Sequence, residues 1–352
     1  MKGMVKNFLS LSLPLIIVGL SIIPAVSAQT SSGLSIDPRK DYVLNPGQSE
    51  ADTLQVSNLN DRLPLTLNLK IIDFTFLNNS GTPKLLLSQN PPQTTWSLKP
   101  FINIPQTITL GAGKTDEVPI TIKVPKDQGA GSYYSAIEYV ASGSTGNSVN
   151  LNASGVSLVF LTVTGQAKED MSLTTLGAYN INNSVAGGNY VSFATSAPEA
   201  IAYTLVNKGN LAENPVGSIV LQPMIGKHVI NIGNANTSSS LALIGQSRLF
   251  TACIQTENKT IDINGVVSHA TVCNPKPHLS IGRYTIRLDI FYGQSGATTN
   301  ELTGVAHFWY IPWWFILAVI AIIFIVVLAI FWLVSRIHGA VSGKTAKKRG
   351  LY

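Results

Sequence analysis

The feature that most limits what this chain can fold into is an uncharged apolar run near its C-terminus, from Ile311 to Val334. At a rise of about 1.5 Å per residue, a helix over this run spans the ~30 Å hydrocarbon core of a bilayer. Pro312 lies in the expected first turn, where its missing N–H costs little. We therefore predict a transmembrane helix over residues 309–335, with aromatic rings at both membrane–water interfaces: Trp309, Tyr310, Trp313, Trp314 and Trp332.

A second apolar segment begins the chain and has the pattern of a signal peptide. Lys2 and Lys6 precede an apolar stretch, and the small residues Val26 and Ala28 suit a signal-peptidase site. We predict that residues 1–28 are a signal peptide cleaved after Ala28; the alternative is an uncleaved N-terminal anchor. The predicted topology is single-pass type I in the cell membrane, with an extracellular ectodomain and a cytoplasmic C-terminal tail.

The distribution of charge agrees with this topology. The chain has 24 Lys and Arg against 18 Asp and Glu, which gives a net charge of +6. Residues 29–310 hold all 18 acidic side chains and 17 of the basic ones, so the segment between the apolar runs is nearly neutral. The tail over residues 336–352 is basic, as the positive-inside rule expects of a cytoplasmic segment. A nucleic-acid binder needs a basic face on its folded domain, and the middle segment is nearly neutral, so we predict no nucleic-acid partner. The apolar runs predict the membrane as a partner.

Between the apolar runs the sequence is typical of short β-strands. Only 12% of the residues are charged, against about 25% in an average soluble protein. Apolar and polar residues alternate, and Gly, Pro and Asn separate the alternating runs. Pro119, inside one of these runs, indicates an edge strand. We predict an all-β ectodomain of two tandem Ig-like β-sandwiches, residues 29–167 and 168–308, followed by the transmembrane α-helix and the basic tail.

The predicted strands form two sets on either side of a short polar connection over residues 165–170. The first set is Thr53–Ser57, Leu63–Leu69, Thr107–Leu110, Val118–Val124, Tyr133–Val140 and Val156–Val163. The second set is Leu173–Ile181, Tyr190–Ala194, Ile201–Val206, Gly217–Leu221, His228–Ile232, Ser247–Cys253, Val266–Cys273 and Tyr284–Tyr292.

The chain has two cysteines, Cys253 and Cys273, and both fall in the second predicted sandwich. In an oxidising compartment a disulfide is the default for such a pair. His269 and His278 lie nearby in sequence, but the cysteine spacing lacks the close pairs of a zinc site. We predict a Cys253–Cys273 disulfide and no metal site; two free thiols are the main alternative.

The predicted ectodomain contains no sequence motif of a serine hydrolase, a zinc protease or a phosphate-binding loop. Glu169 and Asp170 are adjacent, so they would point to opposite faces of a strand, and a solvated linker is the better interpretation than a catalytic pair. We predict a non-enzymatic protein without cofactors; the enzymatic alternative is a hydrolase with a site assembled from scattered loops. Four histidines stand in no recognisable catalytic or zinc context and are expected at the surface: His228, His269, His278 and His307.

Three tyrosines in one predicted strand could form a saccharide-stacking face. Tyr134 alternates away from Tyr133 and Tyr139, because successive strand side chains point to opposite faces. At least one of the three is therefore expected in a core.

An ordered set of short motifs runs through the first predicted sandwich: Ser35–Pro38, Leu44–Gln48, Val56–Asn58, Asn78–Gly81, Trp96, Thr109–Lys114, Val124–Pro125 and Gly131–Tyr134. On these motifs, residues 34–165 resemble the N-terminal domain of the WxL-interacting protein family of Gram-positive cell surfaces. The following part looks like the Ig-like module of membrane-anchored bacterial surface proteins, with marks at Val206–Asn210, Pro215–Ile219, Gln246–Arg248 and Gly282–Tyr284.

The resemblance implies peptidoglycan binding by the first domain and binding of a host or partner protein by the second. No matching motif identifies a ligand-binding residue, so these residues stay unknown at this point. We predict a bacterial cell-surface protein that binds cell-wall glycan or a partner surface protein in adhesion. The alternative is a structural stalk or surface-assembly component without its own ligand.

Overall fold

The computed structural model describes residues 33–87, 93–142, 154–182, 187–226, 228–263, 266–294 and 300–346. The predicted signal peptide and the end of the basic tail, residues 347–352, lie outside this part of the chain. Within the described ranges, 22 β-strands are followed by one C-terminal α-helix. The prediction of an all-β chain with a C-terminal apolar helix is therefore confirmed.

Eleven strands precede residue 164 within the described ranges: β1 (Leu34–Ile36), β2 (Arg39–Leu44), β3 (Ser49–Asn58), β4 (Leu65–Ile72), β5 (Phe74–Leu77), β6 (Thr82–Leu85), β7 (Ile102–Asn103), β8 (Thr107–Leu110), β9 (Thr115–Lys123), β10 (Gly131–Ala141) and β11 (Ser154–Val163). Nine of them form a four-stranded sheet of order β1-β3-β9-β7 and a five-stranded sheet of order β2-β11-β10-β4-β8. We call these two sheets the first sheet pair. Strands β2 and β11 run parallel, and the other neighbours are antiparallel.

The core of the first sheet pair follows from the alternation in its strands. In β9, Val118, Ile120 and Ile122 are buried and the residues between them are exposed. They belong to one buried cluster with Leu67 and Leu161 of the five-stranded sheet, so the two sheets pack face to face. Burying each of these side chains contributes roughly 1.5–3 kcal/mol.

Pro119 lies in β9, which has a neighbouring strand on each side. Strand β3 pairs along the whole of β9, with Thr53 opposite Pro119, whereas β7 reaches only Thr121 and Ile122. Strand β9 is therefore not an edge strand along its whole length, but it is unpaired on one side next to Pro119 among the described residues. At Pro119 the side away from β3 has no paired strand among the described residues, so a missing N–H on that side costs no ladder hydrogen bond.

Eleven further strands follow: β12 (Met171–Asn182), β13 (Gly187–Val191), β14 (Phe193–Ala194), β15 (Ala200–Asn207), β16 (Val216–Pro223), β17 (Ile230–Ile232), β18 (Ser247–Cys253), β19 (Thr256–Ile263), β20 (Val266–Cys273), β21 (Gly282–Tyr292) and β22 (Asn300–Tyr310). Nine of them form a four-stranded sheet of order β13-β12-β15-β18 and a five-stranded sheet of order β14-β22-β21-β16-β17. These sheets are the second sheet pair. Their shared core contains stacked Tyr203 and Phe250, and stacked Tyr284 and Phe308.

Two hairpins stand apart from the sheet pairs, β5–β6 and β19–β20. The sulfur atoms of Cys253 and Cys273 lie at bonding distance, 1.99 Å apart. Cys253 is the last residue of β18, and Cys273 is the last residue of β20. The disulfide therefore fastens the β19–β20 hairpin to an edge strand of the second sheet pair.

The helix α1 (Trp313–Ala346) is long and apolar enough to cross a membrane. Its segment Trp313–Ile337 has a mean hydropathy of 3.4, and none of this segment is buried. The predicted span begins at Trp309, but Trp309 and Tyr310 lie in β22. They are held there because they pair with β21. Only Ile311 and Pro312 separate β22 from α1.

Replacing both Cys253 and Cys273 by alanine should lower the free energy of unfolding by up to about 3 kcal/mol, because the disulfide closes a loop of 20 residues in the unfolded chain. Urea unfolding of the full chain in detergent, followed by circular dichroism, measures the change. Dithiothreitol should destabilise the native chain by a similar amount and leave the double variant unaffected. Equal stability of all three forms would contradict a structural role for the bond.

Candidate functional site at the junction of the two sheet pairs

A third cluster of buried side chains joins the two sheet pairs. Phe74, Tyr134 and Phe160 come from β5, β10 and β11, and Leu241 and Leu243 come from the segment between β17 and β18. Together with Ala136 they form what we call the junction cluster. The Phe74 ring centroid lies 5.2 Å from that of Tyr134 and 5.8 Å from that of Phe160. Such aromatic pairs add about 0.5–1.5 kcal/mol each beyond the area that they bury.

A buried carboxyl group, Asp73, lies next to this cluster. Its oxygens accept hydrogen bonds from the hydroxyls of Ser97 at 2.7 Å, Ser135 at 2.9 Å and Thr94 at 3.2 Å. The Lys99 ammonium is 3.8 Å away. Asp73 has no exposed surface, so these contacts replace water and offset the cost of burial.

The Asp73 contacts hold the segment around Trp96 against β10. The Tyr134 N–H donates to the Trp96 carbonyl oxygen at 2.8 Å, and the Leu98 N–H donates to the Ser135 hydroxyl at 3.1 Å. The Trp96 ring consequently stacks on Tyr134, with 5.9 Å between their centroids. Burial, and secondarily the charge of Asp73, raise the pKa of the Tyr134 hydroxyl. The first sheet pair thus presents a preformed aromatic surface to the second.

Hydrogen bonds cross the junction beside the cluster. The Ser132 N–H donates to the Asn210 carbonyl oxygen at 2.9 Å, and the Ala212 N–H donates to the Ser132 hydroxyl at 2.8 Å. The Asn210 side chain donates to the Ala130 carbonyl oxygen at 3.0 Å and accepts from the Lys168 N–H at 2.7 Å. One asparagine therefore ties both sheet pairs and their connecting segment together.

The β5–β6 hairpin reaches across to strand β18 of the second sheet pair. The Leu249 N–H donates to the Asn79 carbonyl oxygen at 2.9 Å, and the Phe76 N–H donates to the Gln246 side-chain oxygen at 3.2 Å. The Gln246 amide also donates to the Thr75 hydroxyl. These contacts place the tip of the hairpin over the second sheet pair.

Arg248 of β18 lies under the hairpin tip. Its guanidinium carbon is 5.1 Å from the centroid of the Phe76 ring, a cation–π arrangement. A Cβ at Gly81 would collide with the Arg248 Nη1, and Gly81 also has a φ of +77°. Glycine therefore suits this position both by its size and by its backbone conformation. The Arg248 Nε and Nη1 are buried without a hydrogen-bond partner among the described residues. Burial also lowers the pKa of Arg248.

A cleft of about 520 Å³ opens between the hairpin tip, the four-stranded sheet of the second pair and the loop over residues 236–240. Tyr179 and Tyr190 lie on one wall as a T-shaped pair, with 5.2 Å between their ring centroids. Arg248 lies on another wall, and hydroxyl and amide groups line the rim. The buried Asn236 shapes the loop by donating to the carbonyl oxygens of Pro215 and Ser240, each at 3.0 Å. The cleft therefore combines aromatic faces, hydrogen-bonding groups and a cation.

A buried acid, Glu213, lies in the segment between β15 and β16. Burial, with a further contribution from the nearby Glu169, raises the pKa of Glu213 to about 7. One Glu213 oxygen accepts from the Gly293 N–H at 3.2 Å, and the other has no hydrogen-bond partner among the described residues. Glu169 accepts from the Gln294 N–H at 2.9 Å and from the Asn300 amide. The expected solvated linker is thus wrong for Glu169, because the ends of β21 and β22 fold over it.

The structure separates the three tyrosines of β10. Tyr134 belongs to the junction cluster and Tyr139 to the core of the first sheet pair, and both are fully buried. Tyr133 is half-buried against Phe101. The three side chains do not form a common stacking face. The four histidines are exposed, and the described residues contain no cluster of His, Cys, Asp or Glu that could hold a metal ion.

Sequence reasoning missed three polar residues of the junction: Asp73, Glu213 and Arg248. Asp73 carries the clearest signal, since it interrupts an apolar run between Ile72 and Phe74. Glu213 and Arg248 stand in ordinary polar surroundings in the sequence, so the burial of Glu213 and of the Arg248 Nε and Nη1 depends on residues far along the chain.

Comparisons with known proteins find no matching family model and no matching curated protein. Among solved structures, the class 5 fimbriae chaperone CfaA is 12% identical, with a TM-score of 0.36 over 80% of this chain and 100% of that chain. A Salmonella enterica SafA pilin complex with the SafB chaperone is 10% identical, with a TM-score of 0.33 over 78% and 97% of the two chains. A PapD-like domain of human CEP192 is 14% identical, with a TM-score of 0.28 over 44% and 99%. Similarity at this level says nothing about ligand or activity.

Replacing Asp73 by alanine should lower the free energy of unfolding by about 3 kcal/mol or more, because three hydroxyls and Lys99 lose their buried partner. Urea unfolding of the full chain in detergent measures this change. The control is Asp41→Ala, which removes a half-exposed ion pair with Arg39 and should cost less than about 1 kcal/mol. Similar losses in both variants would refute a special role for Asp73.

The raised pKa of Glu213 predicts a pH dependence of stability. The folded chain keeps the Glu213 proton up to a pH of about 7, whereas the unfolded chain releases it near 4.5. The contribution of Glu213 to the free energy of unfolding should therefore fall between these values, by at most about 3 kcal/mol, and stay level above pH 7. Urea unfolding across this range should show a smaller fall for Glu213→Gln than for the native chain. The exposed Glu257→Gln should follow the native profile.

Proposed function

We propose that this protein is a non-enzymatic, membrane-anchored cell-surface protein that binds cell-wall glycan in the cleft at the junction. In this proposal the sheet pairs are two tandem Ig-like sandwiches outside the cell, and α1 is a type I anchor. The cleft is the observation that carries the proposal. It is open to solvent, and residues of the β5–β6 hairpin and of the second sheet pair line it.

The chemistry of the cleft suits an anionic saccharide. The apolar C–H face of a sugar ring packs against an aromatic ring, and Tyr190 offers one that is 38% exposed. Hydroxyl and amide groups of the rim match sugar hydroxyls, as polar groups orient a ligand in most binding sites. The Arg248 guanidinium lies on a wall of the cleft and supplies a cation that suits a carboxylate. Peptidoglycan presents carboxylates beside its sugar rings.

The proposal differs in one respect from what the resemblance to the WxL-interacting proteins implies. That resemblance assigns peptidoglycan to the first domain alone, whereas the cleft uses the β5–β6 hairpin, which belongs to that predicted domain, and strands β12 and β13 of the second sheet pair. Membership of the family stays a prediction. A partner surface protein is the other ligand that the sequence suggests, and an exposed sheet edge would suit it.

A stalk function is the second candidate, and a specific observation favours it. Hydrogen bonds and the junction cluster couple the two sheet pairs, and only Ile311 and Pro312 separate β22 from α1. A chain linked in this way would hold whatever it carries at a set distance from the membrane.

Co-sedimentation of the full chain, in detergent, with insoluble peptidoglycan sacculi tests the glycan proposal. We expect saturable binding that weakens at least tenfold in Tyr190→Ala, which removes the aromatic face, and in Ser238→Trp, which fills the cleft from the exposed loop. Thr303→Trp, on the outer face of β22, is the matched control and should bind normally.

Two results would overturn the proposal in different ways. Absence of saturable binding by the native chain would exclude peptidoglycan and favour the stalk. Normal binding by Tyr190→Ala and Ser238→Trp would keep the glycan but exclude the cleft as its site.

A further inference from the structure

The five-stranded sheet of the second pair carries an apolar row at one end. Strand pairing places Phe193 opposite Trp309 and Trp309 opposite Arg283. The Met224 N–H donates to the Arg283 carbonyl oxygen at 2.8 Å, which continues the row beyond β16. Alternation in β16, β21 and β22 puts these side chains on the outer face, away from the core. We call these four residues the rim row.

The rim row is unusually apolar for a surface that faces water. Met224 is 71% exposed, Phe193 53% and Trp309 44%, and the adjoining turn residue Ile225 is 74% exposed. Clustered exposed side chains of this size mark a contact surface, whereas scattered ones need no explanation.

The next outward-facing level of the same sheet is polar. Gln222, Thr285 and His307 occupy it, two residues away from Met224, Arg283 and Trp309 in their strands. A polar level therefore separates the rim row from Val305, the next exposed apolar side chain on the outer face of β22.

That end of the sheet is also where the chain enters α1. Trp309 and Trp313 are four residues apart, so the Trp309 end of the rim row lies within about 14 Å of the first helical residue. The Pro312 carbonyl oxygen accepts from the Phe315 and Ile316 N–H groups, so the helix begins directly after the connection. The headgroup layer of a bilayer is about 5–8 Å thick on each side of the hydrocarbon core. The Trp309 end of the row is therefore close to the point at which α1 would enter the headgroup layer.

We infer that the rim row and Ile225 insert into the headgroup layer of the membrane that α1 crosses, so that the second sheet pair rests end-on against the bilayer. Trp309 and Phe193 supply aromatic rings of the kind that favour this layer. Arg283, between Trp309 and Met224, meets lipid phosphate oxygens as a hydrogen-bonding cation. The inference rests on the membrane anchor of the proposed function and is independent of the glycan cleft.

Quenching of tryptophan fluorescence by brominated lipid tests this contact. The full chain is placed in nanodiscs of phosphatidylcholine with or without bromine at carbons 6 and 7 of one acyl chain. The emission of the new tryptophan is the emission of the variant minus that of the native chain. In Met224→Trp, and separately in Ile225→Trp, this difference should be at least twofold smaller in brominated discs than in plain discs. Both positions are exposed, so a tryptophan needs no repacking of the core.

Val305→Trp is the matched control. Val305 is 61% exposed on the outer face of β22, four residues before Trp309 and thus about 13 Å farther from α1. Its added emission should change by less than a fifth. Equal quenching, or equal absence of quenching, at positions 224, 225 and 305 would overturn the inference.

The native chain reports separately on the anchor, because α1 carries Trp313, Trp314 and Trp332. Native emission that is quenched, with unquenched tryptophans at 224 and 225, would leave the anchor standing and reject the rim contact alone. Native emission that bromine does not affect would reject the anchor, and the rim contact with it.

Discussion

The arrangement of the two sheet pairs depends on the buried carboxyl group of Asp73. Its hydrogen bonds to Ser97, Ser135 and Thr94 draw the Trp96 segment onto β10. Phe74, the next residue, packs with Tyr134 and Phe160 as one aromatic surface for Leu241 and Leu243. A buried carboxyl is costly without partners, so the hydroxyls around it specify one packing. That packing holds the aromatic surface against which Leu241 and Leu243 of the second half of the chain are buried.

The candidate binding site is a consequence of this junction. The β5–β6 hairpin follows directly after Asp73 and extends over β18, where Gly81 leaves room for the Arg248 guanidinium. Neither sheet pair alone encloses the cleft. Side chains from distant parts of the chain converge there because Asn210 and Gln246 bridge the two halves by hydrogen bonds. A ligand in the cleft would therefore contact the β5–β6 hairpin and the second sheet pair together.

The second sheet pair is also joined closely to the helix. Strand β22 pairs with β21 along its full length and enters α1 after two residues. Orientation set at the membrane would thus reach the second sheet pair through a strand, and the first sheet pair through the junction. Apolar side chains are buried in three clusters, one inside each sheet pair and one at the junction, and α1 adds an exposed apolar surface long enough to span a membrane.

Local pattern alone determined the apolar helix and most of the strands. Alternation in Leu63–Leu69 and Val118–Val124 predicts β4 and β9 because every second residue must face a core. Strand β2 was not predicted, because Arg39–Leu44 is charged at its start and is held by parallel pairing with the distant β11. The helix boundary shifted from Trp309 to Trp313 for the same reason, as pairing with β21 keeps Trp309 extended. Only the tertiary structure decided the burial of Asp73, Glu213 and the Arg248 guanidinium nitrogens. A polar side chain is buried by the residues that pack over it, and here those residues lie far away in the sequence.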